Sequence, residues 1–197
     1  MITRLGSLIS LLVISAPMTL PATITGGTTA VALDSTFVAT VTAAGLTPGA
    51  FAPGMLTGTT ATFPITGGDT TTGIILHSGG LSFTRGTNSA IIENFAIDLN
   101  ALLLRGEVIA NGGTPAMNVN LFNIGIGNTL TINSALASGL SNVFGVPNLT
   151  GATVGVATVS PMTASPVPDP SALALLSLGG VLAVVLRRLT KQVPVSV

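Results

Sequence analysis

The sequence predicts an all-β fold, an antiparallel β-sandwich or barrel with one short helix, set between an N-terminal signal helix and a C-terminal apolar helix. Three observations predict it. Apolar residues in the body recur with period two rather than 3.6. Gly-rich turn signals separate the short runs: "TPGAFAPG", "TGGDTTTG", "HSGG", "TRGTNS" and "ANGGTP". The chain also has little charge to spend on a surface: of 197 residues, 6% are charged and 4% aromatic, with no Trp and no Tyr. Thr, Ser, Asn and Gly must supply the solvated faces, as in many exported β-rich proteins. Short strands between such turns argue for a sandwich or a barrel.

The elements follow in order. The first 27 residues, "MITRLGSLISLLVISAPMTLPATITGG", open with Arg4 as a short basic region. Leu5 to Ile14 is an apolar core of signal-peptide length. The cut falls between Ala16 and Gly27; a short anchor helix or a frayed strand is the alternative. The β domain is placed at 28–159. In "LDSTFVATVTAAG" period two puts Leu33, Phe37, Ala39, Val41 and Ala43 on one strand face, with Asp34, Thr36, Thr40 and Thr42 opposite. In "AIIENFAIDL" it aligns Ile91, Phe95, Ile97 and Leu99, with Glu93 interrupting the face. Arg105 and Glu107 share a solvated face of the next strand. One helix is expected in "NSALASGLSNVFG", where Leu136, Leu140, Val143 and Phe144 keep helical spacing, Ser134 caps the start and Gly145 the end. A last strand, "GATVGVATV", leads into a Pro-rich linker at 160–170.

The C-terminal stretch "VPDPSALALLSLGGVLAVVLRRLTK" is the most informative. Pro168 and Pro170 keep the chain before them extended. Pro170 suits the first helical position and Asp169 the N-cap. Ser171 to Leu186 carries no charge. As a helix it spans roughly 24 Å, against about 30 Å of hydrocarbon. Snorkelling of Arg187 and Arg188 completes a marginal span, with the Arg pair cytoplasmic. Gly179 and Gly180 weaken the helix by about 1 kcal/mol each relative to Ala. The order resembles the PEP-CTERM sorting signal of exported proteins of Gram-negative bacteria, which membrane-embedded exosortases process. The matching residues are Val167, Pro168, Asp169, Pro170, the apolar run Ala172 to Leu186, and Arg187–Arg188, with residues 189–197 as a tail. Asp169 stands where that family usually has Glu, and "LTKQVPVSV" extends beyond its usual end. An ordinary tail anchor and a core helix are the alternatives.

A second resemblance covers the body. "ATFPITGG", "GIILHSGGLSFTRG", "AIIENFAIDL", "LLLRGEV" and "NVNLFNIG" follow one another over roughly Thr60 to Gly127. This is similar to the HtaA-type β domain of bacterial surface proteins. The resemblance implies a β fold and, in the family's haem-uptake members, a tyrosine on the haem iron. This chain has no tyrosine, so that ligand does not carry over.

Candidate chemistry is sparse. His77, the only His, is the candidate ligand-binding residue, a haem ligand in place of the missing tyrosine; the alternative is a structural His bonded within a turn. Asp98 suits a turn-fixing carboxylate. Glu93 and Asp98 are the right residue types for a glycosidase pair, but a spacing of five does not place them together. There is no Gly-x-Ser-x-Gly elbow, and "TGGDTTTG" lacks the Lys-Ser/Thr ending of a phosphate loop. With no Cys, disulfides, thiol catalysis and Cys-ligated zinc are excluded. Between Thr28 and Ala164, Arg85 and Arg105 face Asp34, Asp69, Glu93, Asp98 and Glu107, so no basic stripe invites nucleic acid. The expectation is an exported, non-catalytic surface or matrix protein without a cofactor. Its expected partners are a secretion translocon, an exosortase-like membrane protease, the membrane during sorting, and extracellular polysaccharide. The alternatives are an HtaA-like protein that binds haem or a small ligand, and a simple tail-anchored protein.

Overall fold

The computed structural model describes residues 22–164. The sorting-motif residues Val167, Pro168, Asp169, Pro170, Arg187 and Arg188 lie outside the described residues, as do residues 1–21. Period-two alternation becomes eleven strands among the described residues: β1 (Thr23–Leu33), β2 (Thr47–Phe51), β3 (Met55–Thr57), β4 (Thr60–Asp69), β5 (Ile74–His77), β6 (Gly80–Arg85), β7 (Asn88–Asp98), β8 (Leu103–Ala110), β9 (Ala116–Ile124), β10 (Thr129–Ile132) and β11 (Thr153–Thr163). Two short helices interrupt them, α1 (Ser35–Ala43) and α2 (Ser134–Phe144).

Eight strands close a ring. The order is β7–β5–β4–β1–β11–β10–β9–β8, and β8 pairs back onto β7, every pair antiparallel. The fold is therefore the barrel form of the expected all-β class. The ring is strongly staggered. The register row that joins Thr23 to Asp69, Ile74, Asp98, Leu103, Asn123 and Thr131 arrives on β11 at Thr153. Yet Ile24, beside Thr23, faces Thr163 at the other end of that strand. A small barrel needs such a shear, and with it a steep strand tilt. β6 continues β5 along the same edge of β7, and β2 and β3 add short strands to β6 and β4.

The interior is apolar. Val31, Phe63, Ile65, Ile75, Ile92, Phe95, Ile97, Leu104, Leu121, Phe122, Leu130 and Val154 are all buried. Phe63 and Phe95 meet edge to face at 5.0 Å between centroids, a favoured aromatic geometry. Outward positions on the long strands are rich in Thr and Ser, for example Thr158 and Ser160 of β11. This is the reverse of the apolar-out alternation of a membrane-spanning barrel.

The two helices lie at one end of the barrel. α1 starts directly after β1, held by Asp34, whose Oδ1 accepts from the N–H of Thr36 at 2.8 Å and of Phe37 at 3.1 Å. This corrects the strand expected over Leu33–Ala43. Phe37 and Val41 are its buried residues, four apart, which is a helical period. Ala and Thr between them satisfy either period, so the Asp cap decides. Replacing Asp34 by Ala is expected to lower stability by about 1 kcal/mol, read as a fall in the thermal midpoint with the strand spectrum retained. α2 starts one residue earlier than expected, at Ser134, and Asn133 rather than Ser134 is its cap, accepting from Ala135 N–H at 3.1 Å. Gly145 ends it in the left-handed conformation, φ 65°. The last carbonyls are not left bare. Arg85 Nη1 donates to Phe144 O at 2.7 Å, and Asn88 Nδ2 to Val143 O at 3.0 Å. The β6–β7 turn thus pins the negative end of the helix with a cation.

Three boundaries differ from the sequence reading. β1 begins at Thr23 and β11 runs to Thr163, so the β domain reaches beyond 28–159 at both ends. A cut as late as Gly27 would remove part of β1. "TPGAF", read as a turn, is strand β2 on β6.

Candidate functional site

His77 ends β5 and faces into the barrel, 5% exposed. Its Nδ1 lies 3.3 Å from Phe95 O, and its Nε2 lies 2.7 Å from Thr29 Oγ1 on β1. A carbonyl only accepts, so Nδ1 carries the hydrogen. Nε2 is then the acceptor and the Thr29 hydroxyl donates to it. Both ring nitrogens are engaged by the protein. Burial pulls the His77 pKa below its ordinary 6.5, against the opposing pull of backbone groups of Phe95 and Ile75. The ring is neutral at neutral pH.

Thr29 was missed from the sequence. Its signal is visible in hindsight: Thr29, Val31 and Leu33 fall on one face by period two, and that face is buried or half-buried. A Thr on an apolar inner face needs a partner, and the single His supplies it.

Around this pair lies an internal cavity of about 20 Å³, walled by Val31, Phe63, Phe95, Leu104 and Phe122, among others. That is space for one water. Drug-sized or cofactor pockets run to roughly 300–1,000 Å³. The residues present do not fit a haem group in the barrel interior. The volume is too small, the one imidazole is satisfied on both sides, and tyrosine is absent.

The acids sit outside. Asp98 Oδ1 accepts from the N–H of Asn100 at 3.1 Å and of Ala101 at 2.9 Å, fixing the β7–β8 turn as the sequence reading favoured. Asp69 does the same for Thr71, at 2.6 Å, and the backbone bonds hold its carboxyl below the usual range. Glu93 and Glu107 face each other directly across β7 and β8. Desolvation first, then the charge of Glu107, raises the Glu93 pKa. Asp98 lies further along β7, opposite Leu103. None of these four acids lines the interior cavity. Arg105, half-buried on β8, keeps its Nε without a hydrogen-bond partner. Among the described residues no three His, Cys, Asp or Glu side chains gather as a metal site.

Glu93 also explains the broken pattern in "AIIENFAIDL". The β7–β8 register shifts between Glu93 and Ala96, and Asn94 takes φ 53°. This β-bulge re-aims the strand. Ile92, not Ile91, points inward before it, and Phe95 and Ile97 after it. Leu99, expected on the inner face, is 47% exposed.

Compared with known proteins, the chain matches no family model and no curated protein. Among solved structures it is similar to the haem-binding protein HtaB from Corynebacterium glutamicum. The likeness is one of fold. The TM-score is 0.53 at 11% identity, over 74% of this chain and 96% of that one. It agrees with the HtaA-type resemblance at the level of the barrel.

Proposed function

We propose that the barrel is the body of an exported bacterial surface or matrix protein, structural or adhesive and non-catalytic, sorted through its C-terminal segment. The observation that carries the non-carrier half is the filled interior. His77 is used up by Thr29 and Phe95, and the remaining space holds about one water. The sorting half rests on residues 167–188 as a sequence: Pro-acid-Pro, an uncharged run, then two Arg. Export through a translocon, a pause of 171–186 in the inner membrane and a cut near Pro168–Pro170 by an exosortase-like protease follow from it. Contact with extracellular polysaccharide through the Thr- and Asn-rich outer faces would be the adhesive role.

The intact mass of the protein recovered from cell surface and medium tests the sorting. A chain that lacks the N-terminal stretch and everything after about residue 170 is the expected product. Recovery with residues 171–197 still attached would make it a tail-anchored protein instead.

A second reading has one observation in its favour, the fold shared with a haem-binding protein. Titration of the full chain with haem separates the two. The expected result is an absorption spectrum equal to that of free haem at every ratio. A saturable Soret shift lost in His77→Ala would replace the structural reading with a carrier whose barrel opens to expose the imidazole.

A further inference from the structure

Both ends of the described chain leave the barrel together, at the end opposite the helices. Ala164 N–H donates to Thr23 O at 3.0 Å, while Ala22 and Thr70 exchange hydrogen bonds at 3.3 and 3.1 Å. The same end carries the β4–β5 turn (70–73), the β7–β8 turn (99–102) and the β9–β10 turn (125–128). These turns are tied to one another. Leu99 N–H donates to Gly73 O, Asn100 Nδ2 to Thr72 O, and Ile124 N–H to Leu102 O.

This end is not finished as the other is. α1 and α2 lie at the opposite end. Here the turns present apolar side chains to the outside: Leu99 at 47%, Leu102 at 55% and Ile126 at 99% exposed. Met162, near the chain exit on β11, is also exposed. Turn tips are ordinarily polar, and an exposed Leu costs solubility there without gaining packing. No basic side chain occupies the three turns, whose charged neighbours are Asp69 and Asp98.

The chain that follows fixes what can reach this face. Residues 165–170 join Ala164 to the uncharged run that begins at Ser171. Six extended residues reach at most about 20 Å. If that run is seated in a bilayer, the end of the barrel that bears Leu99, Leu102 and Ile126 is held beside the same bilayer.

We infer that this end of the barrel is a membrane-docking face. The turns 99–102 and 125–128 press Leu99, Leu102 and Ile126 into the interfacial region of an uncharged lipid surface while the tail is still attached. The inference rests on the sorting reading, because the tail supplies the proximity. Shallow insertion of a few large apolar side chains is weak alone and adequate for a tethered body. With two acids and no cation at this end, the face suits zwitterionic rather than anionic headgroups. Docking would hold the barrel in one orientation, with residues 165–170 at the membrane surface where a membrane protease cuts.

The chain has no native Cys, so single labels are clean. The full chain is made as Leu102→Cys, Ile126→Cys and, as the control in the β8–β9 loop at the helix end, Thr114→Cys. Each carries an environment-sensitive fluorophore and is reconstituted with phosphatidylcholine vesicles containing brominated lipid. The expected result is a blue shift and lipid quenching at 102 and 126, with the water spectrum retained at 114. Adding anionic phosphatidylglycerol should not strengthen the effect. If the chain floats with the vesicles but 102 and 126 read as water, docking is overturned and the tail reading stands. A chain that does not float with the vesicles overturns both. Labels at 102 and 126 that shift without lipid, in proportion to protein concentration, would overturn docking in favour of a face covered by a second copy.

Discussion

Gly80→Val is expected to destabilise the domain severely, and Gly80→Ala to do so by less. Gly80 opens β6 opposite Glu93. A Cβ built there runs into the carbonyl oxygen of Ile92 and stands 2.8 Å from Glu93 Cα and Cβ. These are mostly backbone atoms, which do not swing away as a side-chain tip would. Across β7, Gly106 of β8 is crowded by the same residue: its Cβ would lie 2.7 Å from Glu93 O and 2.7 Å from Leu121 Cδ1. Two glycines therefore flank the β7 bulge, one from each neighbouring strand. They let three backbones crowd together where a tightly curved sheet must bend. Overpacking in a core ordinarily costs about 1–3 kcal/mol, and a clash against fixed backbone belongs at the top of that range or above it. Against a stability of order 5–15 kcal/mol, such a cost takes a large share of the folded state's margin, with Gly80→Val losing more than Gly80→Ala. Circular dichroism and denaturant midpoints of Gly80→Ala and Gly106→Ala check this. Wild-type midpoints in both would mean the strands separate locally at no cost.

The second large effect concerns pH. His77 is neutral in the barrel and titrates near 6.5 when unfolded, so its folded value is depressed. The unfolded chain then binds the proton first as pH falls. The stability His77 contributes is fully present above its unfolded pKa, and is lost as pH drops below 6.5 through the folded value. The denaturant midpoint should therefore fall as pH drops below 6.5. Glu93 acts oppositely: its raised pKa makes protonation near its ordinary 4.5 favour the folded state. Measuring in Glu93→Gln removes that opposing slope. Thr29→Val strips the donor from Nε2 and leaves a buried acceptor unmatched, at a cost of about 1–3 kcal/mol. A midpoint flat across this pH window in Glu93→Gln would mean that His77 reaches water in the folded state.

Much of this architecture was legible in the residues. Period two and the Gly-rich turns pointed to an antiparallel sandwich or barrel, and the spacing of Leu136, Leu140 and Phe144 to α2. Asp98 behaves as the turn-fixing acid that its sequence context favoured. What escaped had physical causes. "DSTFVATVTA" is written in Thr and Ala, which suit either period, so the capping geometry of Asp34 decided a helix over a strand. The bulge at Asn94 exchanged Ile91 for Ile92 on the inner face, because a single extra residue reverses every side chain that precedes it. Ring closure cannot be read from local patterns, since it depends on β8 returning to β7 and on β1 meeting β11. The Thr29–His77 contact joins two strands 48 residues apart. The rule that a buried hydroxyl and a buried imidazole each need a partner is what could have suggested it.

The pairing of β1 with β11 has a consequence for how the chain acquires its shape. The ring's first strand is completed by its last, and Ile24 cannot meet Thr163 until nearly the whole domain exists. Such long-range pairing is slow to form, with folding in the range of roughly milliseconds to seconds. Without β11 the ring of strands stays open between β1 and β10. A polypeptide that stays open until its final strand arrives is one that can be threaded through a narrow pore before it folds. The order of the strands thus suits the export proposed above: a chain so ordered would stay threadable until its last strand follows.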